Sequence, residues 1–402
     1  MISTRCADWL TLFSFKDWCY EQSYDDDLVT SDKLAFFIEF VIDRGHKLKK
    51  AEDGSSLAIS KQTVESYVKA VCALYREQRD ADKNKGPSPR SQLVRSVMAK
   101  FIKDNTKRRL EGLEDRGVNT INDGYNRTKL EEIGKYFMER DNMDGLRDKV
   151  CFLMSHSMLL RSQNALGMQL SFLQSFTVPN QGPSEFLGIS AKINYGKQNS
   201  HGKDEFGNCV RHRSANVCPV GAVAKHLFAR FHIAGEAFPC FESRASWYKI
   251  ALVPVSSADP TALMSYEAQR KMYQRVINAC GVVTSAVTHV NRKSAVNMLA
   301  EDGINYDELR RMGRWAVDRM TGCYISSYPL KGLKSMADFR TDQGQNYFLP
   351  RASIVPPKEL QDMVFPTAEE ELKLAREASV KELAVIYFLE MMVKLRVVFL
   401  QV

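Results

Sequence analysis

Apolar residues recur at helical spacing through most of the first hundred positions. Trp9, Leu10, Phe13, Phe15 and Trp18 open one such run, and Ser31-Asp32 offers an N-cap for the apolar segment Leu34 to Ile42. Val64, Tyr67, Val68, Val71 and Tyr75 then return every three or four residues, which lays one apolar stripe along a helix and predicts its burial. The stretch from Asp82 to Arg90 contains Gly86, Pro87 and Pro89 and reads as a loop, since proline lacks the amide that a helix interior needs. A further helix is expected from Ser91 to Lys107-Arg108-Arg109, and Gly112, Gly117 and Gly124 then punctuate a polar connector.

The helical period resumes at Thr128 and runs through Phe137, and a second, buried helix is expected from Leu146 into Met158-Leu159-Leu160-Arg161. Past Pro179 and Pro183 the pattern shifts to alternation from Phe186 to Tyr195, the signature of a strand. A polar turn through Gly196, Gly202 and Gly207 leads to a return segment near Cys209 to Arg213. Helices are predicted from Val220 to Phe231, Ser265 to Cys280 and Arg292 to Glu301, with a loop rich in Ser and Pro between Val253 and Thr261. Pro350, Pro356 and Pro357 mark an extended linker before the acidic start Glu369-Glu-Glu371 of a last helical region.

These elements predict a mainly α fold with a small antiparallel β-sheet, and 402 residues are more than one hydrophobic core usually serves. The expected division is a helical domain over 1–110, a linker over 111–127, a second domain over 128–345 and a proline-containing linker with a C-terminal helix over 346–402. The apolar run from Ala384 to Val402 contains Glu390, Lys394 and Arg396, so it is read as a protein-packing helix and no membrane segment is expected. Three roles are open to that helix: a dimer seam, the start of a further domain, or the closing helix of the core. Its uncapped end Phe399-Leu-Gln-Val402 favours a natural chain that continues.

Composition narrows the partner class. Fifty-six Lys and Arg against 48 Asp and Glu leave a net charge of +8, an excess that favours a polyanionic partner. The nine cysteines are scattered without a C-x-x-C pair, which indicates neither a disulfide framework nor a metal site and suits a reducing compartment. No cofactor is expected.

The candidate chemistry lies in one ordered set: Arg161, a lysine-bearing hairpin, His289-x-x-Arg292, Gly313-Arg314-Trp315 and Tyr324. Gripping a phosphodiester requires neutralising charge on its non-bridging oxygens, and the arginine fork does this with two parallel hydrogen bonds while never deprotonating. Arg161 and Arg292 are suited to clamp one phosphate, His289 shares a helix face with Arg292, and the Trp315 indole has an N–H to donate. Tyr324 supplies a phenol that nearby cations would have to activate as a nucleophile. Taken singly, His289-x-x-Arg292, Trp315 and Tyr324 suit ordinary packing or a surface ion pair, whereas Arg161 emerges from an apolar helix where a guanidinium without an anionic partner is costly; the order and spacing carry the signal. Lys107, Arg108 and Arg109 form either a solvated face or a DNA contact.

This order resembles the tyrosine recombinase and type IB topoisomerase superfamily over roughly Thr128 to Phe339. The resemblance implies that Arg161, His289, Arg292 and Trp315 bind the scissile phosphate, that Tyr324 forms a 3′-phosphotyrosine, and that Lys192, or else Lys197, protonates the leaving 5′-oxygen. Lys203 and Arg314 join the implied DNA contacts. Where the family carries an acid shortly after the first arginine, this chain has Asn164. Val217-Cys-Pro-Val-Gly-Ala222 leading to Phe228-Ala-Arg-Phe231 is similar to fungal Crypton-type recombinases. The segment Val355 to Pro366 and the Trp18-Cys19 helix pattern resemble the centromere-DNA-binding subunits of the budding-yeast inner kinetochore. That likeness implies a nuclear protein at centromeres whose two recombinase-like domains clamp double-stranded DNA. It further implies a homodimer that meets other kinetochore subunits through its C-terminal region, and it places binding ahead of chemistry. An active Crypton-like recombinase is the alternative.

Overall fold

The computed structural model describes residues 15–46, 58–111, 123–193, 204–256, 258–315, 328–340 and 343–402. The chain divides into two compact units, Met1–Asp115 and Arg116–Val402.

The described part of the first unit is helical: residues 15–21, α1 (Ser31–Arg44), α2 (Lys61–Asp80) and α3 (Gln92–Glu111). The stripe read from the sequence is buried, with Val64, Val68, Val71, Leu74 and Tyr75 of α2 facing the core. Phe15, Trp18 and Phe37 form its aromatic centre; the Phe15 and Phe37 rings lie 5.1 Å apart edge to face, and Trp18 lies 5.4 Å from Phe37. The cap of α1 is Thr30, whose hydroxyl accepts from the Lys33 amide at 3.2 Å. Ser31, expected as the cap, instead bonds the Ser91 hydroxyl. Three adjacent capping residues compete here, and the backbone leaves the extended region at Thr30.

The second unit begins with α4 (Arg127–Glu139) and α5 (Met143–Ser157), which is buried on every side over its last three turns. The short helix α6 (Ser162–Leu166) follows, then a three-stranded antiparallel sheet in the order β1 (Leu173–Val178), β2 (Phe186–Ile193), β3 (Glu205–Val210). Strand β1 was not anticipated, because Gln174 and Ser175 interrupt its alternation; pairing with β2, Phe176 against Gly188, makes it a strand. Residues on both faces of β2 are buried, with Leu187, Ile189 and Ala191 in the main core and Phe186 in a smaller cluster with Phe339 and Tyr347.

Helix α7 (Pro219–Phe228) continues directly into a π-helical turn, Ala229–Ile233. The loop expected between Val253 and Thr261 is a small hairpin, Pro254–Ser256 paired with Asp259–Leu263. Then come α8 (Tyr266–Ala279), α9 (Val290–Glu301), α10 (Tyr306–Gly313) and α11 (Leu330–Met336).

The segment after Phe348 is part of this unit's core. Its last helix, α12 (Leu383–Leu400), buries Val385, Phe388, Leu389, Met391, Met392, Leu395 and Val398 in the same cluster as α5 and β2. Arg396 is buried within it, with Nη1 donating to Glu369 and Nη2 to the Phe365 carbonyl, both at 2.8 Å. Among the described residues no helix is long and apolar enough to cross a membrane.

Candidate nucleic-acid interface

The site is assembled where the end of α5, the start of α9 and the end of α10 meet. Helix α5 stops at Met158, and Leu159 turns in the left-handed region at φ +50°. Arg161 then stands at the N-cap position of α6 with extended backbone, φ −84° and ψ 155°. His289 stands at the N-cap position of α9 and is exposed, with Arg292 one turn further on and buried.

Arg292 is held in a frame of neutral groups. Its Nη1 donates to the Leu159 carbonyl and its Nη2 to the Gly313 carbonyl, both at 2.5 Å. The guanidinium carbon lies 4.5 Å from the centre of the Trp315 ring, so the indole is a platform under the cation. Gly313 makes this possible: a Cβ there would meet the Trp315 ring at 2.1 Å.

Electrostatics tie the arginines and the histidine together. Burial, and after it the charges of Arg161 and Arg314, bring the Arg292 guanidinium down to about 9. Burial also lowers Arg314 to about 10, with Glu205 opposing and Arg161 adding to the fall. Partial desolvation and then the charges of Arg292 and Arg161 hold His289 below the usual imidazole range. Arg161 therefore shares one electropositive neighbourhood with His289 and Arg292, which lie far along the chain from it.

The remaining candidates divide by position. Arg314 is buried and donates to the carbonyls of Met312, Met158 and Leu159 at 3.1, 2.9 and 3.0 Å. Lys192 lies near the end of β2, half-buried, with its ammonium 2.8 Å from Asp204. Glu205, which acts on Arg314, pairs with Ile193 beside it, so this end of the hairpin approaches the arginines. Lys197, Lys203 and Tyr324 lie outside the described residues. In the first unit, Lys107 and Arg108 are exposed on α3, with Lys107 3.8 Å from Glu111 and Arg108 donating to Asn105 at 3.4 Å. Arg109 belongs to the same helix, its side chain outside the described residues.

Sequence reasoning missed the groups that hold the site in place. The Leu159 carbonyl carries two guanidiniums, yet nothing in the side chain announces it. Below α9, Asn291 donates to the Phe152 carbonyl at 2.9 Å and to Tyr273 at 3.1 Å, and accepts from Tyr125 at 3.2 Å. The Tyr125 hydroxyl also meets His156 Nδ1 at 2.8 Å. This buried network pins the helix start that carries His289 and Arg292 onto α5. Asparagine directly before Arg292, on the face that must turn inward, was the available signal.

A comparison with curated proteins gives no match. Among solved structures, the chain is similar to a XerH site-specific recombinase bound to palindromic difH substrate in a post-cleavage complex. The TM-score is 0.49 at 14% identity, covering 84% of this chain and 76% of that one. It is also similar to a Flpe–Holliday junction complex, with a TM-score of 0.43 at 12% identity, covering 95% of this chain and 96% of that one. The sequence matches the family described as centromere DNA-binding protein complex CBF3 subunit, domain 2, over residues 84–402, and the chain belongs to that family.

Proposed function

We propose that this chain binds double-stranded DNA at centromeres, in the nucleus, as part of kinetochore assembly, and that it does so chiefly through the phosphate backbone. Family membership supports the centromeric setting. The observation that carries the binding reading is the convergence of Arg161, Arg292 and His289 on one electropositive site, where Arg292 bonds carbonyls alone among the described residues and stacks on Trp315. A phosphate placed there neutralises charge that these contacts leave in excess. Lys107, Arg108 and Arg109 of the first unit are proposed as further DNA contacts.

Salt titration of binding to a short duplex tests this. Each neutralised phosphate contributes about 0.9 to the slope of log K against log salt, so Arg161→Ala lowers the slope by about that much and weakens binding about tenfold. A slope near zero in the unaltered chain overturns the reading.

A second reading, an active tyrosine recombinase, is favoured by the juxtaposition of Arg161, His289, Arg292 and Trp315. It requires Tyr324 to trap a nicked suicide substrate as a covalent adduct that Tyr324→Phe abolishes. Tight binding without adduct rejects it. Exposed Ile354, Val355, Leu360 and Met363 offer the C-terminal region an apolar surface suited to a second copy or another kinetochore subunit. Light scattering reads the homodimer directly, and a monomer at micromolar concentration rejects it.

A further inference from the structure

Leu159 and Arg314 both carry a side chain through the left-handed backbone region, at φ +50° and +52°, and they touch each other. Such a backbone is unfavourable for residues with a Cβ and persists only where the surroundings impose it. At Leu159 the imposition is visible. Arg314 Nη2 donates to the Met158 and Leu159 carbonyls at 2.9 and 3.0 Å. Its Nη1 donates to the Met312 carbonyl at 3.1 Å. On the other side of the turn, the Leu160 amide donates to Ser155 and the Leu159 amide to His156, at 3.0 and 3.2 Å. The next residue is Arg161.

We propose that Arg314 is a positioning residue: it fixes the left-handed turn at Leu159 and thereby the place of Arg161 against a DNA phosphate, without itself touching DNA. The proposal rests on the phosphate-binding reading above. Only 9% of Arg314 is exposed, and its fork is already spent on three carbonyls, which leaves it poorly placed to grip a second group. The same Leu159 oxygen accepts from Arg292, so one carbonyl registers the turn, α9 and the end of α10 together. Lysine cannot substitute, because a single ammonium does not span carbonyls arranged for a planar fork.

The test compares the full chain with Arg161→Ala, Arg314→Met, Arg314→Lys and the double variant Arg161→Ala/Arg314→Met in salt-titrated binding to a short duplex, with melting temperatures alongside. Arg314→Met and Arg314→Lys are each expected to weaken binding about tenfold and to lower the salt slope by about 0.9. The double variant is expected to bind no more weakly than Arg161→Ala, since both changes remove one contact. Multiplying losses in the double variant overturn the proposal, because they make Arg314 an independent contact. A lower melting temperature with affinity and slope unchanged also overturns it. Should Arg314→Met fail to fold, Arg314→Lys decides alone, and full affinity there refutes positioning. If Arg161→Ala changes neither affinity nor slope, the phosphate-binding reading itself fails, a result distinct from any failure at Arg314.

Discussion

Arg230 and Arg292 are both buried guanidiniums of the second unit, and their charges are met in opposite ways. Arg230 Nε and Nη2 donate to the Glu236 carboxylate at 2.7 and 2.6 Å, and Nη1 reaches the carbonyls of Ala251 and Leu252. The π-helical turn that starts at Ala229 carries it to that partner. Arg292 bonds the carbonyls of Leu159 and Gly313, stacks on Trp315, and among the described residues meets no carboxylate. The first arrangement is neutral and closed, a joint within the fold. The second keeps its positive charge and adds the repulsion of Arg161 and Arg314. A fold tolerates such a charge at a cost, and an incoming phosphate would offset it.

Acidification should produce the largest change, and it acts on both regions. His156 lies under the Arg292 helix and His226 beside Arg230; burial brings both to about 3, as it does His212. Their unfolded forms titrate near 6.5, so the unfolded chain takes up protons first. Stability is full above about 6.5 and falls as pH drops toward 3, by up to about 1.4 kcal/mol per pH unit for each histidine. Denaturant unfolding across that window measures it, and a flat profile contradicts the buried neutral imidazoles.

Glu236→Ala leaves Arg230 buried without its acid. The expected loss is about 3–5 kcal/mol of unfolding free energy, with the salt slope of DNA binding in the folded protein unchanged. A change in slope would mean that the two arginines are not separate in role. Gly313→Ala comes next: its methyl group must displace the Trp315 ring, at about 1–3 kcal/mol, and binding should weaken because Arg292 loses its platform. Smallest is Arg292→Lys, which keeps the charge and loses the fork; about tenfold weaker binding with little change in salt slope separates geometry from charge.

The candidate site residues were legible in the sequence because residue type and order are local properties. Arg161, His289, Arg292 and Trp315 can be named without coordinates, and the sequence pattern places α8 and α9 to within a residue or two, while the stripe from Val64 to Tyr75 falls inside the longer α2. The framing groups were not legible. A carbonyl at Leu159 has no side-chain signature, and β1 is a strand through its pairing with β2 rather than through its own pattern. Arg314 shows the same limit: beside Trp315 it reads as one more cation for DNA, whereas its backbone conformation turns the guanidinium inward onto carbonyls.

By itself, then, the sequence determined a mainly helical, two-part chain and the side chains available to meet a phosphate, since periodicity and residue chemistry are local properties. Which arginines would be neutralised inside the fold and which would keep their charge was decided only by tertiary structure. That outcome depends on whether a carboxylate or a carbonyl, remote in sequence, arrives within hydrogen-bonding distance of each guanidinium.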